Sequence, residues 1–422
     1  MSSLNRRRFL ASGAALAGLA AGGGALLPDR AHAALVESAG LEAARQQARS
    51  ALGPRQTPRP TGPEYIRYED LYRSGDSVGS ALARLTQPRI VTFPEGTFSG
   101  RDFDSGYQAG IGIPALCRGI VGSGPGTLGG STGTVFTMVP GSSSKGDGRR
   151  DEYGRLYVPV QGTSTPTQLC VMKQANQKAP AVWRNFQVVG SEQGHIHSAF
   201  QVFQTAGANV FENLLVAGWS GNAGAPPGET MGLAVSGRGA HQLARVEADG
   251  RRTVGGAVHG AMGLTVQDTS GATFRDCYVH HVRAANFVMF QSVDGYMVNC
   301  TSDAVVADDV AIGGGGVNLE RTAGWTLVDP VVIGRSRKVH ISHSNDNWTF
   351  NQAGVVKSVR NGSLKVVNPT FNDLWGNKTL MIQSWTPYWN GDTMKTAPRV
   401  VRADGRTNIP YAWVHGTSRL VK

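Results

Sequence analysis

Three short stretches of this chain set chemically capable side chains two residues apart: Glu247-Ala248-Asp249, Tyr278-Val279-His280 and Thr301-Ser302-Asp303. On an extended strand that spacing puts both members on one face, so each stretch can present two groups to the same surface. If the three strands are stacked neighbours about 4.8 Å apart, His280 lies between Asp249 and Asp303, whose backbones are then about 9 to 10 Å apart. Two reactions suit such a ladder. Carboxylates separated by about 6.5 to 9.5 Å can serve as acid and base in an inverting cleavage of a glycosidic bond. Alternatively, the carboxylates hold a Ca²⁺ ion that neutralises an acidic sugar while His280 or Tyr278 removes the proton beside the sugar carboxyl, a β-elimination. Arg251, Arg252 and Arg283 stand close in sequence and suit two-pronged binding of a carboxylate, and His281, Asp308 and Asp309 extend the polar set. Asp249, Tyr278, His280 and Asp303 are thus the catalytic candidates. Glu247, Arg251, Arg252, His281, Arg283, Asp308 and Asp309 are the substrate-binding candidates, and no metal is assigned beyond Ca²⁺ as a candidate.

Such a ladder needs stacked strands, and an imperfect repeat supplies them. Aligned on Asn185, Asn213, Arg245, Asp276, Asn299, Asp329 and Asn368, the chain repeats at spacings of 23 to 39 residues. Two residues before each anchor stand Trp183, Phe211, Leu243, Phe274, Met297, Leu327 and Val366. One after come Phe186, Leu214, Val246, Cys277, Cys300, Pro330 and Pro369, and three after come Val188, Val216, Ala248, Val279, Ser302, Val332 and Phe371. These are inward columns of a stacked solenoid. Asn and Asp at the anchor suit a bend, because they tolerate the left-handed conformation and hydrogen-bond the backbone. Gly207, Gly239, Gly271, Gly295, Gly324 and Gly362 mark a second turn before each anchor, and short strands precede those glycines. The expected fold is an all-β, right-handed parallel β-helix with three strands per coil. Coil length varies at one corner, at 190–198, 218–231, 250–262, 281–286, 304–316 and 334–354, and insertions confined to one corner mark a binding face. Ionisable groups among the outward residues two and four after the anchor are concentrated in the central coils, which puts the ladder beside that corner.

A helix over residues 76–85 followed by the strand Ile90 to Phe98, ending Phe93-Pro94-Glu95-Gly96-Thr97-Phe98, resembles the N-terminal cap and first coil of the pectate-lyase superfamily of β-helices. That resemblance implies a pectin lyase-like solenoid with a short capping helix. Ala307-Asp308-Asp309 resembles the paired-aspartate segment of polygalacturonases, and Thr301-Ser302-Asp303 resembles their Asn-Thr-Asp segment. Here the two lie five residues apart rather than about one coil, and no His-Gly or Arg-Ile-Lys segment accompanies them. Hydrolysis and elimination therefore both stand.

The first residues read as an address. Arg6-Arg7-Arg8-Phe9-Leu10 resembles a twin-arginine export signal and Ala31-His32-Ala33 its cleavage site, so residues 1–33 form the signal peptide. Residues 34–63 are a leader helix and Pro-rich linker, and 64–422 a single β-helix domain. Loss of Arg6, Arg7, Arg8, Arg30 and Asp29 lowers the formal charge from +11 to +8, which favours polyanionic partners. A secreted carbohydrate-active enzyme working on an acidic polysaccharide is the expected function, without nucleic acid and without a membrane anchor after cleavage, as a monomer or homotrimer. A non-catalytic glycan-binding or spike-type β-helix is the other class. Trp375, Trp385, Tyr388 and Trp389 suit sugar stacking or a terminal cap. Four cysteines are too few for a disulfide scaffold; Cys277 and Cys300 share a column, as a disulfide or as stacked thiols.

Overall fold

The computed structural model describes residues 41–100, 109–130, 132–138, 158–159, 166–167, 170–175, 177–190, 198–219, 230–254, 260, 262–282, 285–303, 316–320, 322–333, 341–344, 348–352, 355–359, 364–372, 380–385, 399–406 and 411–416. The export segment, Arg283, Asp308, Asp309, Trp375, Tyr388 and Trp389 lie outside them. The chain divides into Met1–Ala43 and Ala44–Lys422. Of the first unit only residues 41–43 are described, and they are helical. No helix among the described residues is long and apolar enough to cross a membrane.

The second unit is a parallel β-helix, the fold implied by the pectate-lyase resemblance. Most of its strands form a 17-stranded sheet and a 10-stranded sheet paired in parallel from coil to coil, and two antiparallel pairs, Val158–Pro159 with Pro166–Thr167 and Trp348–Gln352 with Val355–Val359, lie outside them. Met262–Gln267, Thr273–Arg275 and Tyr278–His280 follow one another in the chain. They pair in the same order with Ala285–Phe290, Tyr296–Val298 and Thr301–Asp303. In the earlier coils Ala181–Val189, Asn209–Ala217 and Gln242–Asp249 run through the anchor bend as long strands.

The anchors explain the bend. Asn185, Asn213, Arg245, Asp276, Asn299, Asp329 and Asn368 all have φ between 49° and 62°, a conformation in which the chain turns without breaking the stack. Their side chains form ladders from coil to coil: Asn213 Nδ2 donates to Asn185 Oδ1 at 2.8 Å, Asn299 Nδ2 to Asp276 Oδ1 at 2.6 Å, and Asn368 Nδ2 to Asp329 Oδ1 at 2.7 Å. Arg245 interrupts the Asn/Asp row and instead pairs with Glu212.

The inward columns form the core. Trp183, Phe211, Leu243, Phe274, Met297, Leu327 and Val366 are fully buried, as are Phe186, Val246 and Val279. At about 1.5–3 kcal/mol for each large apolar side chain, this column packing is the main stabilising term. At the N-terminal end, Val78–Leu82 is a helix whose N-cap Ser77 accepts from Ser80 N. Its Val78, Ala81 and Leu82 join the same buried cluster as Val91, Phe93 and Ile111, so the helix closes the first coils. The expected strand from Ile90 to Phe98 is two strands, Arg89–Thr92 and Gly96–Gly100. Pro94 lacks an N–H for the ladder, and its carbonyl accepts from Thr134 Oγ1 instead. Cys117, Cys170, Cys277 and Cys300 are free, buried thiols. Cys277 and Cys300 occupy one column as interacting thiols; Cys277 Sγ also donates to Leu243 O and Arg275 O, and Cys300 Sγ to Val298 O.

Candidate active site

Stacking brings the ionisable pairs together in the register expected of adjacent coils. Glu247 is opposite Tyr278, and Tyr278 opposite Thr301; Asp249 is opposite His280, and His280 opposite Asp303. The flanking coils put Leu215 and Ala217 on one side, and Val331 and Ile333 on the other. The polar set is therefore bounded by apolar residues.

The central element is a chain of side chains. His280 Nε2 lies 3.1 Å from Glu247 Oε1, and its Nδ1 lies 2.6 Å from His281 Nδ1. Asp249 sits beneath both rings, Oδ2 3.6 Å from His280 Nδ1 and Oδ1 3.4 Å from His281 Nδ1. Consecutive strand residues normally face opposite ways, but His281 has φ 53°. This left-handed turn folds its ring back beside that of His280. Tyr278 stacks on His280 with ring centroids 4.3 Å apart. Arg251 grips Asp249 with a fork, Nε to Oδ1 at 3.0 Å and Nη2 to Oδ2 at 2.7 Å. Arg252 is half-buried and lies against Gly218.

Two partners of the ladder come from the N-terminal segment and were not among the sequence candidates. Arg45 Nε donates to Asp303 Oδ2 at 2.7 Å, and Arg55 Nη2 to Glu247 Oε2 at 2.7 Å. Their signal in the sequence is faint: Arg45 and Arg49 are four apart on a helix, and nothing in that spacing says where the helix docks. The consequence is a correction. The outward columns were expected to present these groups at a surface, yet Tyr278 is 1 %, Asp249 2 %, His280 3 % and Asp303 5 % exposed. The side chains of His281 and Arg251 reach solvent, at 28 % and 17 %.

No protein-family model and no curated protein matches the chain. Among solved structures it is similar to the A-module of a mannuronan C-5 epimerase from Azotobacter vinelandii, at 13 % identity over 85 % of this chain and 100 % of that one, TM-score 0.44. It is also similar to an iota-carrageenase, at 9 % identity over 88 % and 95 %, TM-score 0.30. A third likeness is to a Streptococcus pneumoniae surface protein and adhesin, at 7 % identity over 84 % and 98 %, TM-score 0.27. Any reaction here depends on the site's own chemistry.

That chemistry is asymmetric. Burial alone would raise the pKa of Asp249, but hydrogen bonds with His281 and Arg251 and the charge of His280 hold it well below the usual carboxylate range. Glu247 is pushed up by burial and pulled further down by His280 and Arg55, for a net lowering. Burial, then the nearby charge of Asp303, raises Tyr278 above its ordinary value, so the phenol, already neutral at pH 7, holds its proton more tightly. Glu247 and Asp249 are thus held as anions and Tyr278 as a neutral donor.

Asp249, His280 and His281 also place three ligand atoms within 4.8 Å of one another. Two nitrogens bound to one tetrahedral ion at ~2.0–2.1 Å stand about 3.3 Å apart, well beyond the 2.6 Å between these Nδ1 atoms. Both oxygens of Asp249 are held by Arg251. The distances fit a shared proton better than a metal. Ca²⁺ needs about six to eight oxygens, while Glu247, Asp249 and Asp303 each already hold an arginine; this donor set does not fit it.

Proposed function

We propose that the protein is an exported carbohydrate-active enzyme that cleaves an acidic polysaccharide by β-elimination. The observation carrying this reading is the His281–His280–Glu247 chain beside a protonated Tyr278. His281, at the solvent edge, takes the proton beside the sugar carboxyl. His280 and Glu247 behind it orient the ring and balance the imidazolium, as the third member of a catalytic triad does. The electron pair released forms the new C=C bond, the C–O bond to the leaving sugar breaks, and Tyr278 protonates the departing oxygen. In this reading Arg252, next to the Asp249-bound Arg251, neutralises the sugar carboxylate, which is what makes the adjacent C–H acidic. Inverting hydrolysis needs a carboxyl group that keeps its proton, and the downward shifts of Glu247 and Asp249 argue against either in that role.

The burial of Tyr278 and His280 favours a second reading, a non-catalytic glycan-binding or surface protein in which the ladder is structural. A panel of uronic and neutral polysaccharides separates the two. Elimination predicts rising ultraviolet absorbance from unsaturated uronate ends, lost in His281→Ala. Binding without new reducing ends or absorbance on every polymer overturns the enzymatic reading.

A further inference from the structure

Side chains at Tyr278, His280, Thr301 and Asp303 point away from the core, yet all four are buried. Described residues that reach them from outside include the arginines of the N-terminal segment: Arg45 bonds Asp303, Arg55 bonds Glu247, and the charges of Arg45 and Arg49 act on the Tyr278 hydroxyl. This segment is fastened unevenly. Beyond Gly53 it is held through its backbone: Pro54 O accepts from Asn213 Nδ2 at 2.8 Å, Arg55 O from Gly126 N at 3.0 Å, and Thr57 N donates to Ser123 O at 2.7 Å. Before Gly53 the described helix covers residues 41–51 and buries only Leu41 and Ala48, while Glu42, Ala43, Gln46, Gln47, Arg49 and Ser50 are exposed. A helix this short does not hold its shape without docking, and an element with so few buried apolar contacts belongs to the least stable part of a fold.

We infer that residues 44–51 form a lid over the ladder, hinged at Gly53-Pro54 and latched by Arg45 on Asp303. With the lid down, the outward face around Tyr278, His280 and Asp303 is closed to a polymer. When the latch opens, the helix lifts while Arg55 and Thr57 stay tied to the solenoid, so Glu247 keeps its partner and the His280 hydrogen bond survives. A polyanion favours opening, because its acidic groups compete with Asp303 for Arg45 and also attract Arg49. That the lid guards a reaction rests on the function proposed above; that it opens does not.

The test is hydroxyl-radical footprinting of the full-length mature chain, read at His280 by tandem mass spectrometry with partly exposed His281 as internal reference; the radical attacks ring carbon, so the engaged nitrogens do not block the reaction. Asp303 is buried and Arg45 partly exposed, so salt reaches the latch from the arginine side; high salt, or the double variant Arg45→Gln/Arg49→Gln, raises His280 labelling roughly fivefold or more while the melting temperature stays close to wild type. Arg59→Gln, which breaks an ion pair with Glu69 elsewhere on the same segment, leaves His280 labelling unchanged. Unchanged labelling in the double variant and in salt overturns the lid, as does labelling that rises only together with global unfolding. If His280 opens as described and the polysaccharide panel stays silent, the lid stands and the enzymatic reading falls.

Discussion

Both nitrogens of His280 are engaged, Nε2 by Glu247 and Nδ1 by His281, so this ring has no free position with which to take a proton from substrate. It acts through its neighbours, and the variants divide accordingly. Glu247→Gln keeps the shape and removes the charge that would balance the imidazolium formed when His281 takes the substrate proton. It is expected to lower kcat by about 10²- to 10⁴-fold with a smaller change in KM. Tyr278→Phe removes the donor to the leaving group and should cost about 10²-fold on a sugar leaving group. It should cost far less on a substrate whose leaving group departs without a proton, and equal losses on both would remove Tyr278 from that role. At this scale the sequence was legible in register and illegible in environment. The i, i+2 pairs told which side chains share a face. Nothing local told that Arg45 and Arg55, 258 and 192 residues earlier, would pair Asp303 and Glu247, because a docking partner leaves no periodic trace in the strand it covers.

At the scale of the element, the anchor bend was the most readable feature of the chain. Each aligned anchor adopts the left-handed conformation, Arg245 included, and the columns around them are the buried core. That works because one bend repeated coil after coil forces one residue class and one inward pattern. Asn299 tests the physical account. Asn299→Ala loses both the bond to Asp276 Oδ1 and a side chain that tolerates positive φ, and should cost about 2 kcal/mol of unfolding free energy. Asn299→Gly restores the backbone freedom but not the bond, and should recover about half of that loss in denaturant titrations. If the two variants are equally destabilised, the ladder bond rather than the left-handed turn carries the anchor. The strand from Ile90 to Phe98 was misread for the converse reason: Pro94 is a local interruption inside a residue run that otherwise has strand character.

For the whole molecule, stability against acid depends on two histidines buried inside the solenoid and apart from the ladder. His241 is held as a neutral ring: Nδ1 accepts from Asn209 N at 3.3 Å, and Nε2 faces Gly237 O at 3.3 Å. A proton on Nδ1 would set two donors against each other. Burial lowers its pKa from 6.5 to about 4, and burial does the same to His343, which also drops to about 4 beside Thr322. Both folded-state values lie below those of the unfolded chain, so between about pH 6.5 and 4 the unfolded state binds more protons than the folded one. Stability then rises with pH across this window and falls on acidification through it. A gap of about 2.5 units corresponds to about 3 kcal/mol for each ring, most of it lost by pH 4.5. Glu247 and Asp249 act at lower pH, because their depressed values withdraw stability only once the medium drops below the ordinary carboxylate range. The interval from pH 7 to 4.5 therefore isolates the histidines. Chemical denaturation across it should show a steep decline in wild type and a shallower one in His343→Gln, whose neutral amide can still meet Thr322 Oγ1. A flat wild-type profile, or an undiminished slope in the variant, would show that these two rings do not set the acid limit of the fold.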